Sequence, residues 1–206
     1  MLKSKGLPPA LKTKFKAILI FGPPGSGKGT MGKFLSSAGN HFHLSSGDIF
    51  RGLSPESPSG VLYHQYASQG KLLPDHVTIQ IWYNYVSGLI ATNKYFPSQQ
   101  LLLLDGIPRT VEQVNILSHY VDVKTIILLK AKDDQTLIKR IQRRALIEKR
   151  LDDQDSEVLK KRLEVYLSET EPLLDHFPSK IIHTFNALQS PLDVLKDILI
   201  ELSSDL

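Results

Sequence analysis

Nine residues near the N-terminus constrain this chain more than any others. Residues 22–30 read Gly22-Pro23-Pro24-Gly25-Ser26-Gly27-Lys28-Gly29-Thr30. They follow a short apolar run at 17–21, read as a buried strand, and precede a helical pattern at 28–38. A glycine-rich turn between strand and helix, with this spacing from Gly22 to Gly27-Lys28, is that of a P-loop. The glycines let backbone N–H groups converge on anionic oxygens without Cβ clashes. The helix N-terminus adds partial positive charge, and Lys28 is placed to reach the outer phosphates of a nucleoside triphosphate. One position departs from the general motif. Gly29 stands where a Ser or Thr usually offers a hydroxyl to Mg²⁺, with Thr30 next. A magnesium ion is therefore expected to be held another way, largely through water. The chain also lacks an N-K-x-D guanine signature, since Asn93-Lys94 is followed by Tyr95-Phe96.

The rest of the chain repeats the same alternation. Weak or strong strand patterns fall at 42–44, 101–104, 125–129 and 181–184. Helical patterns fall at 75–91, 111–120, 133–147, 157–177 and 191–202, with Pro172 predicting a kink or break in the fourth of these. Alternating buried strands and amphipathic helices predict an α/β fold: a three-layer α/β/α arrangement on a five-stranded parallel sheet. Ligands of such sheets bind beyond the C-terminal ends of the strands. The glycine-rich loop, Ser45–Asp48 and Asp105–Arg109 all fall there. The expected organisation is a basic N-terminal tail at 1–16 and a core at 17–206. The core carries an inserted lobe at 45–74 and a short lid at 143–153.

Composition narrows the partners. The net charge of +4 is too small to imply nucleic acid but suits a polyanionic small molecule. With no cysteine, disulfides and cysteine-based zinc sites are excluded. No apolar run approaches a membrane span. The tail holds Lys3, Lys5, Lys12, Lys14 and Lys16 without the apolar centre of a secretory signal. A mitochondrial presequence is the competing reading, but the tail is rich in lysine rather than arginine. The expectation is a cytoplasmic protein without a membrane or nucleic-acid partner.

Phosphoryl transfer between two polyanions needs positioning and cationic stabilisation more than covalent chemistry. The arginines fit that need. Arg51 follows Ser45-Ser46-Gly47-Asp48, and Arg109 closes Asp105-Gly106-Ile107-Pro108-Arg109 just past a buried strand. Arg140, Arg143, Arg144 and Arg150 cluster before Asp152-Asp153, and Arg162 follows on the next helix. The cluster taken alone also reads as a solvated basic helix face. Asp105, ending a central strand, suits a magnesium partner acting through water; its bland alternative is a turn cap. His41, His43, His64 and His76 lack metal-ligand spacing and read as structural.

These residues together resemble the adenylate kinase family of nucleoside monophosphate kinases, over nearly the whole chain after Lys16. The stretch 22–30 is similar to that family's phosphate loop, Gly-Thr after the lysine included. Leu44-Ser-Ser-Gly-Asp-Ile-Phe-Arg51 and Gly70-Lys-Leu-Leu-Pro-Asp75 resemble its monophosphate site. Asp105-Gly-Ile-Pro-Arg-Thr110 with Gln113 resembles its most specific motif. Arg150-Leu-Asp-Asp153, Lys160-Lys-Arg-Leu163, Tyr166, Thr170 and Pro172 resemble the lid exit and the helix behind it.

The resemblance implies a reversible, Mg²⁺-dependent reaction of ATP with AMP to give two ADP. It implies Lys28, Arg109, Arg144, Arg150 and Arg162 as catalytic residues. For ATP it implies Gly25, Ser26, Gly27, Lys28, Gly29, Thr30, Arg144 and Gln189. For AMP it implies Ser46, Arg51, Lys71, Leu72 and Leu73, then Gly106, Ile107, Pro108, Arg109 and Gln113, with Arg150 and Arg162 closing over the phosphate. Only five residues separate Arg144 from Arg150, so the lid is of the short type, which by analogy favours a monomer. The segment 145–149 lacks the glycines usual in short lids, and Asn186-Ala187 replaces the usual Asp-Gly before the last helix.

The nearest rival is a UMP/CMP kinase. Gln113 favours AMP, because an amide pairs with both a donor and an acceptor on an adenine edge. A non-catalytic nucleotide-binding protein would not need Lys28 and the full set of arginines. A small-metabolite kinase would lack the combination of Gln113 with Arg150-Leu-Asp-Asp153.

Overall fold

Among the described residues five parallel strands form one sheet, in the spatial order 42–45, 102–105, 15–21, 121–130 and 182–186. The computed structural model describes residues 9, 11, 13–148 and 155–203. The strands are β1 (Phe15–Phe21), β2 (Phe42–Ser45), β3 (Leu102–Asp105), β4 (Val121–Lys130) and β5 (Ile182–Asn186). The helices are α1 (Lys28–Gly39), α2 (Ser46–Arg51), α3 (Pro58–Ala67), α4 (Asp75–Ala91), α5 (Val111–Leu117), α6 (Asp134–Glu148), α7 (Ser156–Val165) and α8 (Pro191–Leu202).

The two-residue period of β1 divides the core. Ile18 and Ile20 point to one face, where Met31 and Leu35 of α1 and Val194, Ile198 and Leu202 of α8 cover the sheet. Ala17, Leu19 and Phe21 point to the other, against Ile79, Trp82 and Val86 of α4 and Ile116 and Leu117 of α5. Both faces being covered explains why Leu102–Asp105 is an unbroken buried run rather than an alternating one. The three-layer α/β/α reading therefore holds. Among the described residues no helix is long and apolar enough to cross a membrane.

The differences from expectation lie at element ends. β1 begins at Phe15, so Phe15 and Lys16 belong to the sheet and not to the tail. Leu11 also packs against the core. β4 starts at Val121 rather than 125, with a register irregularity opposite Ala17 and Ile18 that accommodates the extra length. α5 stops at Leu117 because Ser118 caps it and Tyr120 then turns into the core.

The long helix expected at 157–177 is three segments. α7 gives way to a π-helical turn, Tyr166–Thr170, and then a 3₁₀ turn, Glu171–His176. Pro172 supplies no N–H and crowds the carbonyl four residues earlier, so the ladder changes its spacing there instead of kinking smoothly.

Candidate active site

The glycine-rich loop joins β1 to α1 as its sequence requires, and α1 starts at Lys28. Gly27 precedes it in the left-handed region, at φ 95°. Lys28 Nζ donates to the carbonyls of Gly22 at 2.7 Å and Pro23 at 3.1 Å, bending the side chain back along its own loop. Burial brings the Lys28 pKa down to about 8; Asp105 opposes the drop, and Arg109, Arg144 and Arg162 add to it.

β3 delivers Asp105, which is 7% exposed, to the same end of the sheet. Its Oδ2 lies 3.5 Å from where a side chain on Gly29 would begin, so the carboxylate faces the glycine-rich loop directly. The following turn brings Arg109 in. Its Nε donates to the Gly106 carbonyl at 2.7 Å. That carbonyl also accepts from Ser46 Oγ at 2.7 Å, tying the end of β2 to the end of β3. Gly106 is needed here: its φ is +79°, and a Cβ would meet Ser46 Oγ at 2.7 Å. Burial first, and then neighbouring Arg162, lowers the Arg109 pKa to about 10. The guanidinium stays charged at neutral pH and stands among like charges, a setting that favours an anion.

One cleft at the C-terminal ends of the strands collects most of the expected residues. Gly25, Gly27, Lys28, Gly29 and Thr30 line it. Arg51, Lys71, Leu72, Gly106, Pro108 and Arg109 line it as well. Arg144 from α6, Arg162 from α7 and Asp105 complete this lining. Arg51 is held by Asp48 Oδ1 at 2.6 Å, one helical turn back on α2.

Other expected residues sit behind the cleft. Ser26, Ser46, Leu73 and Ile107 are buried and do not line it. Gln113 is 1% exposed, with both ends of its amide engaged internally. Its Oε1 accepts from the Arg109 N–H at 2.8 Å and its Nε2 donates to Asp75 Oδ1 at 2.9 Å. It therefore supports the Arg109 turn in this conformation and does not face the cleft. Gln189 Nε2 donates to Asp197 on α8, away from the cleft. Arg150 lies outside the described residues.

Sequence reasoning missed several neighbours. Tyr63 and Val165 line the cleft, as does Tyr166, which the motifs named without a role in the site. Burial pushes the Tyr166 phenol well above its ordinary range, keeping it neutral. His43, read as structural, lies with Nε2 3.9 Å from Asp105 Oδ2. Its place on β2, two residues before Ser45, was the available signal. Arg140 donates to the carbonyls of Ala187, Leu188 and Gln189, fastening α6 to the loop after β5. No periodicity marks that contact, since its partners are backbone atoms far along the chain.

Fold and cleft together define a P-loop α/β protein whose cleft gathers the glycine-rich loop, Lys28 and the arginines Arg51, Arg109, Arg144 and Arg162. Comparison with known proteins narrows the class. The family model described as adenylate kinase matches residues 20–182. A protein named adenylate kinase from Flavobacterium psychrophilum is 34% identical over 186 residues, covering 87% of this chain and 94% of the relative. One of the same name from Corynebacterium glutamicum is 36% identical, covering 81% and 88%. A third, from Rickettsia africae, is 31% identical, covering 88% and 96%. The chain belongs to the adenylate kinase family.

Proposed function

We propose that this protein moves the γ-phosphoryl group of ATP to AMP, reversibly, giving two ADP. The observation that carries the proposal is the convergence of Lys28 with Arg51, Arg109, Arg144 and Arg162 around one cleft. A lone triphosphate site needs the loop and its lysine; arginines in the same cleft supply what a second phosphorylated substrate requires.

In this reading Gly25–Thr30 cradle the ATP phosphates with backbone N–H groups, and Lys28 follows the group in transit. Arg51 and Arg109 hold the AMP phosphate with an oxygen in line with Pγ. That oxygen forms the new P–O bond as the bond between Pγ and the ADP oxygen breaks. Negative charge spreads over the equatorial oxygens, where Lys28, Arg144 and Arg162 are placed to offset it. Arg150 would join them at the lid. Lys71 and Leu72 line the acceptor side. Gln113 acts on the acceptor side through the Arg109 turn, and Gln189 acts through its loop and not its side chain.

The residues also fit magnesium. The buried carboxylate of Asp105 faces the glycine-rich loop across Gly29. Mg²⁺ commonly keeps several waters and binds through one or two carboxylates plus substrate phosphates. Asp105 would hold it through water, and the bound ion would neutralise phosphate charge. The same reading takes the protein as a cytoplasmic monomer.

A coupled ADP assay with AMP, CMP, UMP and GMP as acceptors tests the substrate. AMP is expected to turn over fastest, and faster turnover of UMP or CMP would replace the assignment with a pyrimidine nucleotide kinase.

A further inference from the structure

Behind the acceptor wall lies a carboxylate that the phosphate-binding account does not use. Asp75 is the first residue of α4, directly after the lobe segment that carries Lys71 and Leu72. Its Oδ1 accepts two hydrogen bonds, from Thr110 Oγ1 at 2.8 Å and from Gln113 Nε2 at 2.9 Å. Thr110 Oγ1 in turn accepts from the Gln113 backbone N–H at 3.1 Å, starting α5. Gln113 Oε1 accepts from the Arg109 N–H at 2.8 Å. On the other side, Thr170 Oγ1 donates to the Arg109 carbonyl at 3.1 Å. The Arg109 peptide groups are thus gripped at the N–H through Gln113 and at the C=O through the π-helical turn.

The first grip depends on polarity. A primary amide offers a donor end and an acceptor end of nearly equal shape. A carboxylate only accepts, so Asp75 selects the orientation that turns Nε2 toward itself and Oε1 toward the Arg109 N–H. The reversed amide would set oxygen against carboxylate and NH₂ against N–H. Gln113 itself is 1% exposed, so water cannot readily satisfy the mismatched amide ends and both mismatches are costly.

We propose that Asp75 is a positioning residue for phosphoryl transfer. It fixes the Gln113 amide, the amide fixes the Arg109 backbone, and the guanidinium is thereby aimed at the acceptor phosphate. The same carboxylate joins the end of the acceptor lobe to that arginine. The proposal rests on the adenylate kinase reading of the cleft. A carboxylate serving only the α4 dipole would change stability alone.

Steady-state kinetics in both nucleotides, with thermal melts of each variant, test it. Asp75→Ala is expected to raise KM for AMP and lower kcat, each by roughly tenfold or more, as a misplaced binding group does. KM for ATP is expected to stay within about twofold. Asp75→Asn keeps an acceptor oxygen for Thr110 and Gln113 and is expected to recover most of the loss. Asp75→Ser keeps a polar side chain at the helix start but is too short to reach Gln113; it carries the same expectation as Asp75→Ala if that variant does not fold. A lower melting temperature with kinetics unchanged overturns the proposal. So does a parallel rise in both KM values, or an Asp75→Asn no better than Asp75→Ala. Failure of the unmodified protein to use AMP would instead refute the substrate reading.

Discussion

Lys28 has its ammonium on two carbonyls of its own loop, and burial lowers its pKa to about 8. A triphosphate would favour the charged form and raise that pKa again. The sign follows. Below about 8 the lysine is already protonated, and affinity for the triphosphate is independent of this group. As pH rises through about 8 the free protein loses the proton while the complex keeps it, so binding takes up a proton and affinity falls. Between about pH 7 and pH 9 the expected loss approaches tenfold. Titrations across that range, in two buffers of different ionisation enthalpy, would register the uptake. Lys28→Met is expected to bind more weakly and to lose the pH dependence; a retained dependence would assign the proton elsewhere. Gln113 teaches a related lesson at this scale. Its position after Pro108-Arg109 was legible, but its partner was not. Asp75 precedes it by 38 residues, and no local pattern announces a hydrogen bond of that span.

At the scale of elements, the glycine-rich loop depends on two different properties of glycine. Gly27 has a φ of +95° with nothing within 4 Å of a prospective Cβ. Gly25 has a φ of +83°, and its Cβ would meet the Leu137 carbonyl of α6 at 2.7 Å. Gly27→Ala is expected to cost about 1–2 kcal/mol of conformational strain and to fold. Gly25→Ala adds a backbone clash that the loop relieves only by leaving α6, so its triphosphate affinity is expected to fall further. Parallel melts and binding titrations compare the two; equal losses would mean that the loop does not rest on α6 as described. The strands and most helices were readable because buried runs and 3.6-residue spacing are local signals. α4 and α8 have the bounds their periodicity predicts. The π-helical turn was not readable. Pro172 announced an interruption, but whether a helix kinks or widens depends on what its inner side must reach, here the Arg109 carbonyl from Thr170.

At the scale of the whole molecule, function follows from strand order. β1 and β3 are neighbours at the centre of the sheet, paired from Ala17 with Leu102 to Ile20 with Asp105. That register sets the glycine-rich loop and the Asp105–Arg109 turn side by side, though more than seventy residues separate them in the chain. α6 and α7 bring Arg144 and Arg162 into the same cleft. We propose two facing anion sites there, and the central claim is that a phosphoryl group passes between them. Incubation with Mg²⁺ and ADP alone, followed by phosphorus NMR, tests that claim directly. Two facing sites predict ATP and AMP appearing in equal amounts, with no inorganic phosphate. Unchanged ADP, or AMP accompanied by free phosphate and no ATP, would contradict it.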